Sequence, residues 1–276
     1  MRIEDFPHSL FRVTQTTMLP SHFPDHYINQ AHSFIQEKAP QHKTFKWIIR
    51  TAMAGILMSS MTLGIADAAV ADEELQLQQD SRYFKAFIPQ GFKLFSTTRG
   101  DLNQDGIPDA VLVLKATDPK AWVTENDRSY DRNRRGMVVL MGTPKTHQYK
   151  TLVKNLSCFS SDQEDGGVYF PPELLVHIQK GILVLNYAHG RYGYRAYKFR
   201  SEQQDLRLIG YDQSDNFGPM VLSITSINFL TGKKLVKDNL NRYESDLPER
   251  FKDTWTTIQS APLYLSQVHD FDELLF

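Results

Sequence analysis

From Ala110 onward, apolar residues come in short runs broken every few positions by Gly, Pro or Asp, and almost none recur at helical spacing. That punctuation constrains the chain more than any other feature. Segments of this length, rich in Val, Ile, Leu, Tyr and Phe, read as β-strands, and helices need longer uninterrupted periods. Strands are expected over Ala110–Lys115, Met137–Gly142, Leu174–Gln179, Ile182–Tyr187, Tyr192–Arg200, Leu206–Tyr211 and Val221–Leu230. Alternation sends Leu174, Val176 and Ile178 to one face and Leu175, His177 and Gln179 to the other. Lys180-Gly181 suits a tight turn, with further turns at 188–191 and 201–205, so the strands between 174 and 211 should pair in order. Residues 116–135 read as an exposed polar loop, and Glu244–Ile258 as the place for a short helix. The expected class is mainly β, with α+β as the alternative, built as an antiparallel meander or a small propeller-like or sandwich domain.

Upstream the pattern differs. Thr51–Ile65 carries no charge, follows Lys43, Lys46 and Arg50, and precedes Ala66-Asp67-Ala68 and Ala69-Val70-Ala71. Basic flank, apolar run and small-x-small sites occur in the order of a secretory signal, with a cut expected after Ala71 or Ala68. From Trp47 to Ile65 the stretch approaches the ~20 residues that span a bilayer, so a retained anchor is the alternative, with a buried core helix a further one. Signal peptides begin near the first methionine, so residues 1–43 are expected to be an extension created by an upstream start assignment. The five histidines in it, His8, His22, His26, His32 and His42, have no compact ligand spacing. The division is therefore 1–43 extension, 44–71 signal peptide or anchor, and 72–276 a single β-rich domain. The expected location is periplasmic or secreted; with residues 47–65 retained, it is the inner membrane.

Composition narrows the partners. Thirty-one Lys and Arg against 32 Asp and Glu leave a formal charge of −1, which gives no general attraction to nucleic acid or anionic lipid. One cysteine, Cys158, forbids an intramolecular disulfide and reads as a small buried apolar residue.

The strongest chemical signal is Gly100-Asp101-Leu102-Asn103-Gln104-Asp105-Gly106-Ile107-Pro108-Asp109. Calcium takes six to eight oxygens, and alternate oxygen-bearing side chains in a tight loop present them together. Asp101, Asn103, Asp105 and Asp109 would supply side-chain oxygens and Ile107 its carbonyl, while Gly106 permits the turn; the alternative is an Asp/Asn/Gly turn without metal. Where an EF-hand places its bidentate Glu this chain has Leu112, and a strand-like run follows instead of a helix. The loop resembles the GDLNxDGxxD calcium loops of FG-GAP and VCBS-type propeller repeats, but occurs here once. Phe87–Phe92, Gly166-Gly167, Tyr194–Arg200, Leu208–Tyr211 and Ser226–Lys233 extend the resemblance to a family of exported bacterial proteins and lipoproteins, over roughly residues 80–240. The chain departs from that family at Ala188–Arg191, where Gly-Gly-Ser is usual, and has no Cys at the start of its mature segment. The resemblance implies export and one structural Ca²⁺, and no activity.

His189, Arg191, Tyr192, Tyr194 and Arg195 gather rings and cations that could serve a glycan or an acidic partner, the alternative being ordinary cross-strand packing. His177 and His189 lack a nucleophile or carboxylate at a telling spacing, and Asp162, Glu164 and Asp165 read as a solvated acidic loop. No hydrolase or phosphate-loop motif is present. The expected function is an exported envelope binding protein, stabilised by one Ca²⁺, whose partner is an envelope protein or a glycan; an inhibitor or immunity role is one version. An envelope hydrolase acting on a glycan or peptide is the alternative.

Overall fold

The computed structural model describes residues 61–276 except 126, 145–147, 164–172, 244–246 and 275, with side chains from residue 71 onward. The expected 1–43 extension, the basic and apolar parts of the expected export signal up to residue 60, Glu164, Asp165 and the Gly166-Gly167 pair lie outside the described residues.

A helix, α1 (Met61–Tyr83), spans the expected cut at Ala71, and a short 3-10 turn, Lys85–Phe87, follows it. Residues 71–79 are helical, as their Ala, Glu, Leu and Gln favour. Thirteen strands follow among the described residues. β1 (Phe92–Gly100), β2 (Asp109–Ala116), β5 (Arg135–Gly142) and β6 (Tyr149–Phe159) form one antiparallel sheet in the order β1-β2-β5-β6. β7 (Glu173–Gln179), β8 (Ile182–Ala188), β9 (Gly193–Glu202), β10 (Asp205–Phe217), β11 (Met220–Asn228), β12 (Lys233–Asn239) and β13 (Phe251–Thr257) form a second, each strand pairing with the next. Both sheets are open, so the protein is a sandwich built on a meander and not a closed propeller. The 116–135 segment is more ordered than a loop: it holds the hairpin β3 (Trp122–Glu125) and β4 (Arg128–Asp131) and buries Asp131 and Asn133.

β2 and β5 are buried on both faces, which is why they read as unbroken apolar runs. Val111, Met137 and Val139 face the seven-stranded sheet, meeting Leu183, Leu185, Tyr197, Phe199 and Tyr211 in the main core. Ala110, Leu112, Leu114, Val138 and Leu140 face the other way, under Phe84 and Leu77 of the α1 region. Each such Leu or Val contributes about 1.5–3 kcal/mol by leaving water. The salt bridge from Arg99 to Asp80, at 2.6 Å, fixes α1 on β1. The C-terminal segment straps the two sheets together. Leu265, Val268 and Phe271 enter the core, Asn155 Nδ2 donates to the carbonyls of Leu265 and Val268, and Tyr197 Oη donates to that of Phe271.

Three sequence expectations meet instructive outcomes. Cys158 is buried, and burial pushes its thiol up to about 12. Lys180 (φ 52°) and Gly181 (φ 74°) both adopt the left-handed conformation that a two-residue hairpin turn demands. Glu244–Ile258 contains no helix among its described residues; Phe251–Thr257 pairs with β12 instead, since three Thr, a Trp and a Phe fit a pleated edge better than a helix. The Lys180 turn supplies the first prediction. Lys180→Asn should stabilise the fold by about 0.5–1 kcal/mol, because Asn tolerates positive φ at lower steric cost than Lys. Denaturant melting checks it, and a loss of stability would contradict the turn geometry.

Candidate functional site

The 101–109 loop joins β1 to β2, and its conformation follows from short side chains that bond their own backbone. The Asp101 carboxylate accepts from Asp105 N at 3.2 Å and Gly106 N at 2.8 Å. Asn103 Oδ1 accepts from Asp105 N at 3.2 Å, and Asp105 accepts from Ile107 N and Asn103 Nδ2, each at 2.8 Å. Gly106 sits at φ 83° and Gln104 at φ 60°, which brings these groups round in a tight coil.

Asp109 behaves differently. Its side chain is wholly buried, and its two oxygens accept from Leu102 N at 2.7 Å and from Gly142 N, on β5, at 2.8 Å. Burial raises its carboxyl above the ordinary range; the two backbone bonds oppose that rise, and the charges of Asp105 and Asp101 add to it. Leu102 is buried in the main core, and Gln104 Nε2 donates to the Lys180 carbonyl at 2.9 Å. The loop is therefore pinned to both sheets. Gly142 N and the Lys180 carbonyl are parts of this site that spacing alone does not disclose, since each comes from a distant strand or turn.

The donor set suits a hard cation: three carboxylates, an amide oxygen and a carbonyl within nine consecutive positions. A carboxylate oxygen carries two lone pairs, so one bonded to a backbone N–H keeps a second for a metal. Asp101, Asn103 and Asp105 converge on the amides of residues 105–107, while Asp109 is turned inward. Among the described residues, no three His, Cys, Asp or Glu side chains are already grouped as metal ligands.

The second candidate set is divided by the sheet. Tyr194, on β9, stands on the outer face and is 42% exposed; burial of its other part, with the Asp212 charge, raises its phenol. Lys198 shares that face and pairs with Asp212, which also accepts from Ser226 Oγ at 2.6 Å. Arg195 points the opposite way, donating to the Asp272 carbonyl at 2.9 Å. His189 lies with it, edge-on to Tyr187 at 5.3 Å, and its Nε2 has no hydrogen-bond partner among the described residues. Burial and the neighbouring Arg195 cation lower its pKa, against an opposing pull from Asp272. Arg191 and Tyr192 belong to the turn between β8 and β9, Arg191 exposed and Tyr192 half-buried. Gly193 is obligatory there, because a Cβ would lie 1.8 Å from the Ser214 carbonyl oxygen.

His177 is on the outer face of β7, 3.5 Å from Asn186 Nδ2, its pKa lowered by burial. The two histidines thus stand on opposite faces. Asp162, expected in a solvated loop, instead pairs with the buried Lys115. An outer-face residue the sequence reading passed over is Trp255 on β13, 64% exposed. The outer row also holds Leu175, exposed, and Leu235 and Ile224, half-buried. No described helix is long and apolar enough to cross a membrane. No family model, no characterised protein and no solved structure matches the chain.

Proposed function

We propose that the protein is an exported binding module of the cell envelope, stabilised by one Ca²⁺ held by Asp101, Asn103, Asp105, Asp109 and the Ile107 carbonyl, with an envelope protein or a glycan as its partner. One observation carries the calcium part. Asp109 is held buried and ionisable beside two further carboxylates, each of which raises its pKa, and a divalent cation would relieve that repulsion. In such a site the ion cross-links the loop and supplies no chemistry to a substrate. The binding part rests on the wide outer face of the seven-stranded sheet, where Tyr194 and Trp255 offer ring faces and Lys198, paired with Asp212, offers a cation. The separation of His177 from His189 favours binding over acid–base catalysis, because the two cannot share a proton-transfer task.

Calcium titration of the full chain, followed by calorimetry and thermal melting, tests the reading. At about 100 times Kd, a ligand specific to the folded state adds about 2.7 kcal/mol. For a domain of this size that raises the melting temperature by roughly 5–10 °C. Asp105→Ala should abolish the rise, and magnesium should give less of it. A wild-type protein indifferent to calcium would remove the metal and leave the loop a self-bonded turn.

A further inference from the structure

We propose that the free edge of β13 is a self-association surface, on which a second copy of this chain adds its own β13 antiparallel, joining two seven-stranded sheets into one.

The other edges of the two large sheets are in contact with neighbouring elements among the described residues. The Val176 carbonyl on β7 accepts from Thr98 Oγ1 of β1 at 2.8 Å, which ties those two edges together. β6 is covered by the C-terminal strap, with Phe271 N bonded to the Cys158 carbonyl at 3.0 Å. β13 has no such cover among the described residues, and Lys252 to Thr257 are all exposed. Its register on β12 is unbroken from Phe251 to Thr257, with no bulge or proline to twist the edge away.

The backbone direction along β13 follows from its two ends. Ile258 N donates to the Gly232 carbonyl at 2.8 Å, and Leu240 N to the Arg250 carbonyl at 2.7 Å. In an antiparallel ladder, residues alternate between facing the partner strand and facing away. The even positions 250 to 258 therefore turn their polar groups toward β12, and Phe251, Asp253, Trp255 and Thr257 direct N–H and C=O outward at the bare edge.

Full antiparallel overlap of two copies, centred on Thr254, is self-complementary. Phe251 falls opposite the partner's Thr257, and Asp253 opposite the partner's Trp255, so every outward N–H meets an outward C=O. No like charges stand opposite: Lys252 faces the partner's Thr256, and Asp253 keeps its own ion pair with Lys237 at 3.3 Å. The two Trp255 rings lie diagonally across the seam, within reach of one another. An open groove of about 370 Å³, lined by Lys233, Trp255, Thr256 and Thr257, lies where the partner's Phe251 would enter. A formal charge of −1 adds little repulsion between copies.

Sedimentation velocity of the full chain, over a series up to about 100 μM, tests this. Two variants disturb the monomer little: Asp253→Pro removes an N–H that only the pairing uses, at the cost of one exposed ion pair with Lys237, and Thr254→Lys sets like charges opposite each other at the centre of the seam. The wild type should dimerise, and each variant should weaken association at least ~10-fold with unchanged circular dichroism. A wild type that stays monomeric throughout, or a dimer that both variants leave intact, would overturn the proposal; the latter would place self-association elsewhere on the chain.

Discussion

Lys115→Met is expected to cost about 3–5 kcal/mol, the usual penalty for leaving a buried charge uncompensated. Lys115 sits on β2 at 2% exposure, its Nζ 2.8 Å from Asp131 Oδ2 and paired also with Asp162. Asp131 is itself 5% exposed, and its other oxygen accepts from Asn133 N at 3.0 Å and Asn133 Nδ2 at 2.7 Å. Asn133 in turn bonds the backbone of Asp118 in both directions, so one ammonium anchors the whole excursion that carries β3 and β4. For about 200 folded residues this loss lowers the melting temperature by roughly 6–20 °C. Burial pushes the Asp131 carboxyl up, but its bonds to Lys115 and Asn133 outweigh that and hold it below the ordinary range. A lowered carboxylate stabilises the fold above its unfolded pKa, and that contribution disappears as pH falls through the folded value. Removing Lys115 removes most of it, so wild type and variant should converge in acid and diverge above about pH 4. The double variant Lys115→Met/Asp131→Leu should recover part of the loss, because it removes both charges. A single-variant cost below about 1 kcal/mol would mean that the ion pair contributes no more than one at the surface.

That network also marks the limit of what could be read from the chain. Strands β2, β5 and β7 to β11 were legible because their apolar residues either run unbroken or alternate cleanly, and the Lys180-Gly181 turn was legible because Gly marks positive φ. β1, β6, β12 and β13 interleave Lys, Ser, Thr and Asn with their apolar positions, as in Tyr149–Phe159, and only pairing with a neighbour makes them strands. Asp131 looked like one more solvated acid in a polar stretch. Its burial depends on Lys115 from one strand and on Ser161 and Gln163 from beyond another, contacts that no local pattern encodes. Alternation along β9 separated Tyr194 from Arg195, but the destination of Arg195, a carbonyl in the C-terminal strap, required the tertiary fold.

The same distinction applies to Asp109, legible as a loop acid and illegible as a weld between strands. Asp109→Ala is expected to destabilise the protein by about 2–4 kcal/mol, since the buried N–H of Leu102 and the part-buried N–H of Gly142 lose their acceptor at about 1–3 kcal/mol each, with partial relaxation. Asp109→Asn should cost less, because the amide keeps one acceptor oxygen and discards a charge that burial disfavours. The pH dependence runs opposite to that of Asp131. A carboxyl whose pKa is raised by folding binds its proton more tightly in the native state, so its contribution is fully present below the unfolded value near 3.8 and is lost as pH rises through the folded one. Above that window the ionised Asp109 destabilises the fold, and Asp109→Asn removes this pH-dependent part. Chemical denaturation of wild type and both variants from about pH 3 to 7, with and without calcium, separates the roles. If Asp109 only bonds amides, calcium shifts the three curves alike and leaves their pH dependence unchanged. If it also ligates the ion, calcium flattens the wild-type decline with rising pH and does nothing for Asp109→Ala. A wild-type stability that increases steadily across this range, with no effect of Asp109→Asn on the slope, would show that its carboxyl is not raised by folding.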